Sequence, residues 1–185
     1  VRAPEDDPRP GPEGPPRLLA DENLGRLARW LRVAGFDTLH RNPADDAWLL
    51  RIAVGEGRIL LTRDRKLVDP RRLAPPLRAA AAGARIHLVG GFDTREQLVE
   101  VCRALRLDPL ERAFRRCPSC NGEVREIGRG EVLGRVPPRS LALYASYFLC
   151  SPCDKVYWEG DHVVRSRRFL EGVKARAGIR PQTGP

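Results

Sequence analysis

Two groups of residues in this chain have the type and spacing to do chemistry: four cysteines in the second half and a series of aspartates in the first. Cys117-Pro-Ser-Cys120 and Cys150-Ser-Pro-Cys153 are two CxxC knuckles. Each knuckle lets two thiolates reach one tetrahedral ion, and two of them complete a four-cysteine shell for zinc. All four ligands then come from protein and no position stays open, so the expected role is structural. The spacer from Asn121 to Leu149 is longer than the ~15–20 residues usual between such knuckles. An insertion around Gly128–Pro138 is therefore expected. Disulfides are the rival reading of the same cysteines, and a reducing cytoplasmic setting opposes them. The fifth cysteine, Cys102, falls on a predicted helix face and reads as a small core residue.

The aspartates share a placement. Asp21 follows the short apolar run Leu18–Ala20, and Asp64 follows Arg58–Thr62. Asp46 opens the helix after a second strand, and Asp93 follows a fourth. In a parallel α/β sheet, ligands bind beyond the carboxyl ends of the strands. Four acids from four strand–helix junctions can thus meet at one edge. Like-charge repulsion makes an unpaired cluster costly. A divalent cation removes that cost, and all-oxygen ligands suit Mg2+ or Mn2+. In a nuclease-type site such an ion activates water and neutralises charge in the transition state. Each acid also has a plain structural reading, because aspartate is a favoured N-cap. Asp45, Asp46 and Asp93 read equally as caps, and Asp21 and Asp64 as loop acids.

Strands must alternate with helices to position these acids, and the apolar pattern supplies them. Leu24, Leu27, Ala28 and Leu31 make the stripe of an amphipathic helix, ended by Gly35. Phe36–His40 reads as the second strand, and Leu49, Leu50, Ile52 and Ala53 as a helix closed by Gly55 and Gly57. Lys66 to Ala82 reads as one or two short helices broken by Pro70, Pro75 and Pro76. Ile86–Val89 is the fourth strand, and Thr94 with Gln97 caps a helix carrying Leu98, Val101 and Leu105. This alternation implies a parallel sheet with right-handed crossovers. The expected divisions are a disordered Pro-rich tail or linker over 1–16, an α/β domain over 17–111, a zinc ribbon over 112–162, and a basic C-terminal segment over 163–185.

Charge suggests a partner. The formal net charge is +9, and only Lys66, Lys155 and Lys174 of the 33 basic residues are lysines. Arginine forks match phosphate geometry, which favours RNA or DNA as ligand, although a coding bias toward arginine explains much of the ratio. Arg26, Arg29 and Arg32 form a stripe that can track a phosphate backbone or be an ordinary solvated helix face. Tyr157 and Trp158 have the shape to stack bases, while aromatics in so small a module usually form its core. His40, His87 and His162 lie in no recognisable nucleophile motif. Gly128, Gly130 and Gly134 do not make a nucleotide fingerprint. Neither a run of about 18 apolar residues nor a secretory leader pattern is present, so a cytoplasmic protein without a membrane span is expected.

LLADENLGRLARWLRVAGFDT, DDAWLLRIAVGEGRILLTRD and CPSCN…VP…FLCSPCDKVYWEGDH together resemble the Mut-seven C-terminal RNase domain family over about residues 17–170. That resemblance implies a PIN-like nuclease fold, a parallel sheet flanked by helices, followed by a small four-cysteine zinc ribbon. It implies Mg2+- or Mn2+-dependent hydrolysis of RNA. The family's acids fall on Asp21 in DENLG, Asp46 at the helix entry and Asp64 in TRD, with Asp93 matching the variable fourth acid loosely. Asp45 competes with Asp46, which is taken for its register with Ala53. Some relatives carry a ubiquitin-like domain where this chain has its Pro-rich segment. The expected protein is a metal-dependent endoribonuclease in which Arg63 or Lys66 holds phosphate, Arg26 and Arg29 help bind RNA, and the ribbon grips the backbone. A non-catalytic RNA-binding module and a protein-interaction adaptor are the alternatives.

Overall fold

Leu18-Leu19-Ala20 and Ile59-Leu60-Leu61-Thr62 are apolar at nearly every position, which suits strands covered on both faces. In the computed structural model, which describes residues 14–180, they form the centre of a four-stranded parallel sheet. Its strands are β1 (Leu18–Ala20), β2 (Thr38–His40), β3 (Ile59–Thr62) and β4 (Arg85–Leu88), in the order β2-β1-β3-β4. Leu19 pairs with Leu39 on one side and Leu60 on the other. Residues 1–13 of the expected tail, and 181–185, lie outside the described residues.

Side chains alternate across the pleat, and the helices sort accordingly. Leu18, Ala20, Ile59 and Leu61 face α1 (Gly25–Val33) and α5 (Thr94–Ala104). Leu19 and Leu60 face α2 (Asp46–Gly55), α3 (Arg65–Val68) and α4 (Pro75–Gly83). The prolines of the 66–82 segment sit where helices tolerate them, Pro75 and Pro76 in the first turn of α4.

The cysteine half forms its own antiparallel sheet from β5 (Val124–Ile127), β6 (Tyr147–Cys150) and β7 (Val156–Trp158). The insertion between β5 and β6 holds a 3-10 turn at Arg129–Val132 and a short helix α6 (Pro138–Leu143). It is not slack, for Val132 and Val136 pack with Ile127, Tyr147 and Leu149.

The last helix, α7 (Asp161–Ala177), takes up most of the stretch expected only as a basic C-terminal segment. Its Leu170, Val173 and Ala177 are buried in the same cluster as Leu27, Leu31, Leu98 and Val101. Phe169 stacks on Trp30 with ring centroids 4.0 Å apart. The segment expected as a basic tail therefore supplies a wall of the first core, which the stretch 17–111 does not close unaided.

The two sheets are joined by a buried polar latch. The Asn121 side chain accepts the Thr38 N–H (2.9 Å) and donates to Asp37 Oδ1 (2.7 Å). Asp37 also receives Arg58, whose side chain is 3% exposed and donates to the Leu18 carbonyl as well. Burial pushes the Asp37 carboxyl up, but the hydrogen bonds from Arg58 and Asn121 and the nearby guanidinium charges outweigh it, leaving the group at about 2. Arg32, expected on the basic stripe, is instead buried: it donates to the Thr38 carbonyl (2.8 Å) and to Ser119 O in the first knuckle (3.1 Å). Gly35, with φ +91°, sits where an added Cβ would lie 1.9 Å from the Arg112 carbonyl oxygen.

Candidate active site and metal centre

β1 connects outward to β2 and β3 outward to β4, so the chain leaves these two adjacent strands in opposite directions. That is a topological switch point, where the crevices of open parallel sheets lie. Asp21 follows β1 directly, and Asp64 lies two residues past the end of β3. Asp21 is buried, and both of its oxygens are engaged. Oδ1 accepts the Glu22 N–H (2.6 Å) and Oδ2 accepts the Thr62 hydroxyl (2.6 Å). The same hydroxyl accepts the Asp64 N–H (2.9 Å), and Asp64 Oδ1 accepts the Lys66 N–H (2.8 Å). Thr62, fully buried at the last position of β3, thus ties the two acids together.

Asp45 and Asp46 divide their duties. Asp45 caps α2 by accepting the Trp48 N–H, while Asp46 is the first helical residue. Burial raises the Asp46 carboxyl above its usual range, and the charges of Asp64 and Asp21 raise it further, with Lys66 pulling back and Asp45 adding a smaller push. Asp46 therefore shares a field with Asp21, Asp64 and Lys66. Asp93 is exposed five residues past the end of β4, and it, not the Thr94 expected, caps α5 by accepting the Glu96 N–H. Arg26 and Arg29 lie on the exposed face of α1, and Arg63 is exposed beside Asp64.

The cysteines are drawn together more closely. Cys117, Cys120, Cys150 and Cys153 have sulfurs all within 4.8 Å of one another, the only such group of possible metal ligands among the described residues. The Cys117–Cys153 and Cys120–Cys150 separations are 3.6 and 3.3 Å, and all five cysteines are free thiols. A tetrahedral zinc thiolate shell sets its sulfurs about 3.8 Å apart, so this cluster can hold zinc. Burial raises the thiols of Cys150 and Cys153. It raises Cys117 too, but hydrogen bonds from the Tyr157 hydroxyl and from backbone N–H groups reverse this and bring Cys117 to about 6. The Tyr157 hydroxyl is engaged by Cys117, and half-buried Trp158 packs against the module's core, as aromatics of so small a module usually do. Cys102 is fully buried in the first core, its thiol pushed up to about 12 by that burial.

The two centres occupy opposite edges of the parallel sheet. The first knuckle meets Thr38, where β2 begins, whereas the acids lie where β1 and β3 end. Residues 16–170 match the Mut7-C RNAse domain family. The chain belongs to that family. No curated protein and no solved structure matches it. Membership in the Mut7-C family gives the chain a nuclease-like, RNA-related function and a ribonuclease-like hydrolase character. No helix among the described residues is long and apolar enough to cross a membrane.

Within this Mut7-C fold, Thr62 is the site residue that sequence reasoning passed over. Its signal is its place as the last strand residue two before Asp64, a polar side chain on a position that otherwise calls for an apolar one.

Proposed function

We propose that this chain is a metal-dependent endoribonuclease that hydrolyses RNA phosphodiesters at Asp21, Asp46 and Asp64. The observation that carries the reading is the Thr62 hydroxyl tying Asp21 to the Asp64 turn at the switch point, with the Asp46 carboxyl raised by burial and by both of these acids. The donor set is carboxylate oxygen throughout, which fits Mg2+ or Mn2+. When bound, such an ion offsets the gathered negative charge and activates water for attack on phosphorus. The protein's own residues prepare the site. Thr62 orients Asp21 and the start of the Asp64 turn, Asp45 fixes the helix that delivers Asp46, and Lys66 and Arg63 lie where phosphate charge needs a counterpart. Other exposed arginines, Arg26 and Arg29 among them, bind the RNA backbone with little regard for sequence. PIN-like ancestry of the fold and a cytoplasmic setting, where the cysteines stay reduced, belong to the same reading.

The test is cleavage of labelled RNA by the full chain with Mg2+ or Mn2+. Asp21→Asn and Asp64→Asn should each lower the rate by at least about a hundredfold, with an unchanged circular dichroism spectrum. Full activity in either variant overturns the assignment. A non-catalytic RNA-binding module is the second reading, favoured by one observation: among the described residues only the cysteines gather as a group of possible metal ligands. It predicts RNA binding that is indifferent to Mg2+ and no cleavage by the unaltered chain.

A further inference from the structure

Beyond β4 the chain turns through Gly90-Gly91-Phe92-Asp93 into α5, at the edge where Asp21 and Asp64 leave β1 and β3. Phe92 is 91% exposed, the most exposed of the large apolar residues described. Leaving a phenyl ring in water is unfavourable relative to burying it, and buried Leu98 and Val99 lie in the second turn of α5. The ring is held outside by its backbone. Gly90 N and Gly91 N donate to Glu100 (3.0 and 2.8 Å), Phe92 N donates to Glu96 Oε2 (3.0 Å), and Gln97 Nε2 donates to the Gly91 carbonyl (3.2 Å). Gly91 lies so tightly on α5 that an added Cβ would stand 2.5 Å from Gln97 N. An exposed aromatic on a turn fixed at this many points is preorganised for a ligand rather than awaiting a place in the core.

We propose that Phe92 is a stacking platform for an unpaired base of single-stranded RNA entering the aspartate site. The inference rests on the nuclease reading and narrows its substrate to unpaired RNA. Three features favour a base over a protein surface. Phe92 stands between Gly91 and Asp93, so its own turn adds no further apolar surface of the kind protein partners use. The neighbouring strand end carries exposed Arg63, Arg65 and Lys66, which suit a phosphate backbone. β3 and β4 pair in parallel and α3 packs against β4, so the turn after β4 starts beside the strand end that carries these cations. The nearby carboxylates of Glu96 and Glu100 accept backbone N–H groups, which offsets their repulsion of phosphate. A duplex offers no free base face to the ring, so unpaired RNA should be preferred.

The experiment uses the full chain carrying Asp21→Asn to stop cleavage, a single-stranded RNA containing 2-aminopurine, and a duplex of the same sequence. Stacking on Phe92 quenches the probe's fluorescence. Phe92→Ala should abolish that quench and weaken single-strand binding about tenfold, with duplex affinity unchanged, while Phe92→Trp should keep both quench and affinity. In the catalytically intact chain, Phe92→Ala should raise KM about tenfold and leave kcat near its original value. If Phe92→Ala binds and quenches like its parent, the platform is wrong, and this is also the result expected if the ring docks a protein. If the intact chain cleaves RNA yet Phe92→Ala has unaltered KM, the platform falls and the nuclease reading stands. If the unaltered chain neither binds nor cleaves RNA, both fall.

Discussion

Asp46 shows what a charged site costs a fold before it acts. Its carboxyl is raised by burial and by Asp64 and Asp21, so the folded chain holds that proton more tightly than the unfolded one. By linkage, stability falls as pH rises from the ordinary aspartate value toward the raised one, and the penalty is fully present at neutral pH. Asp46→Asn should therefore raise the melting temperature at pH 7 by about 2 °C without added divalent ions, while removing cleavage. A melting scan checks this, and a lower melting temperature in the variant would show that the charge is not under strain. The same residue marks how far sequence could see. A run of two aspartates before a helix announces one cap, and the hydrogen bond from Trp48 N shows that Asp45 takes it. Thr62 leaves only a faint mark in the sequence, a polar residue closing an apolar strand two before Asp64, because a hydroxyl bridging two acids is a matter of rotamer and pairing register rather than periodicity.

Among the elements, strands and amphipathic helices were legible wherever apolar residues recur at a fixed period, as in Leu24–Leu31 and Leu18–Ala20. What they pack against was less so. Leu170 and Val173 look the same on a solvated helix as on one seated beside Leu98 and Val101. Arg32 is spaced like Arg26 and Arg29, but the Thr38 carbonyl of β2 and the arriving knuckle carbonyls turn it from surface charge into a buried donor. The latch around Asp37 joins elements distant in sequence and gives a sharp expectation. Asp37→Ala leaves Arg58, 3% exposed, without its main counter-charge, and should cost about 3 kcal/mol in urea unfolding at pH 7. Asp37 titrates at about 2 in the folded chain, below its ordinary unfolded value of about 4. Its contribution is thus complete above pH ~4 and fades as pH falls toward 2, where the urea midpoints of parent and variant should converge. A difference that persists at pH 2 would assign the effect to packing instead.

For the whole molecule, the aspartates and the cysteine cluster lie at opposite edges of one sheet, and they remain mechanically connected. The knuckle holding Cys117 and Cys120 is followed at once by Asn121, which accepts the Thr38 N–H of β2. Zinc loss should therefore be felt in the parallel sheet as well as in the module. A zinc-selective chelator should lower the melting temperature by on the order of 10 °C and speed hydrogen exchange at Thr38 well above that at Leu60 in the sheet centre. Exchange that changes only within residues 117–158 would show the centres to be independent.

The path of the chain also sets a schedule for its making. A ribosome delivers the sheet and α5 first, then the whole cysteine half, and only then α7. With synthesis at ~5–20 residues per second, the groove between α1 and α5 waits several seconds for Leu170, Val173 and Ala177. During that interval its leucines face water or a chaperone. The protein thus completes its first-made part last, and slow folding of the cysteine half would delay the helix that closes the first core.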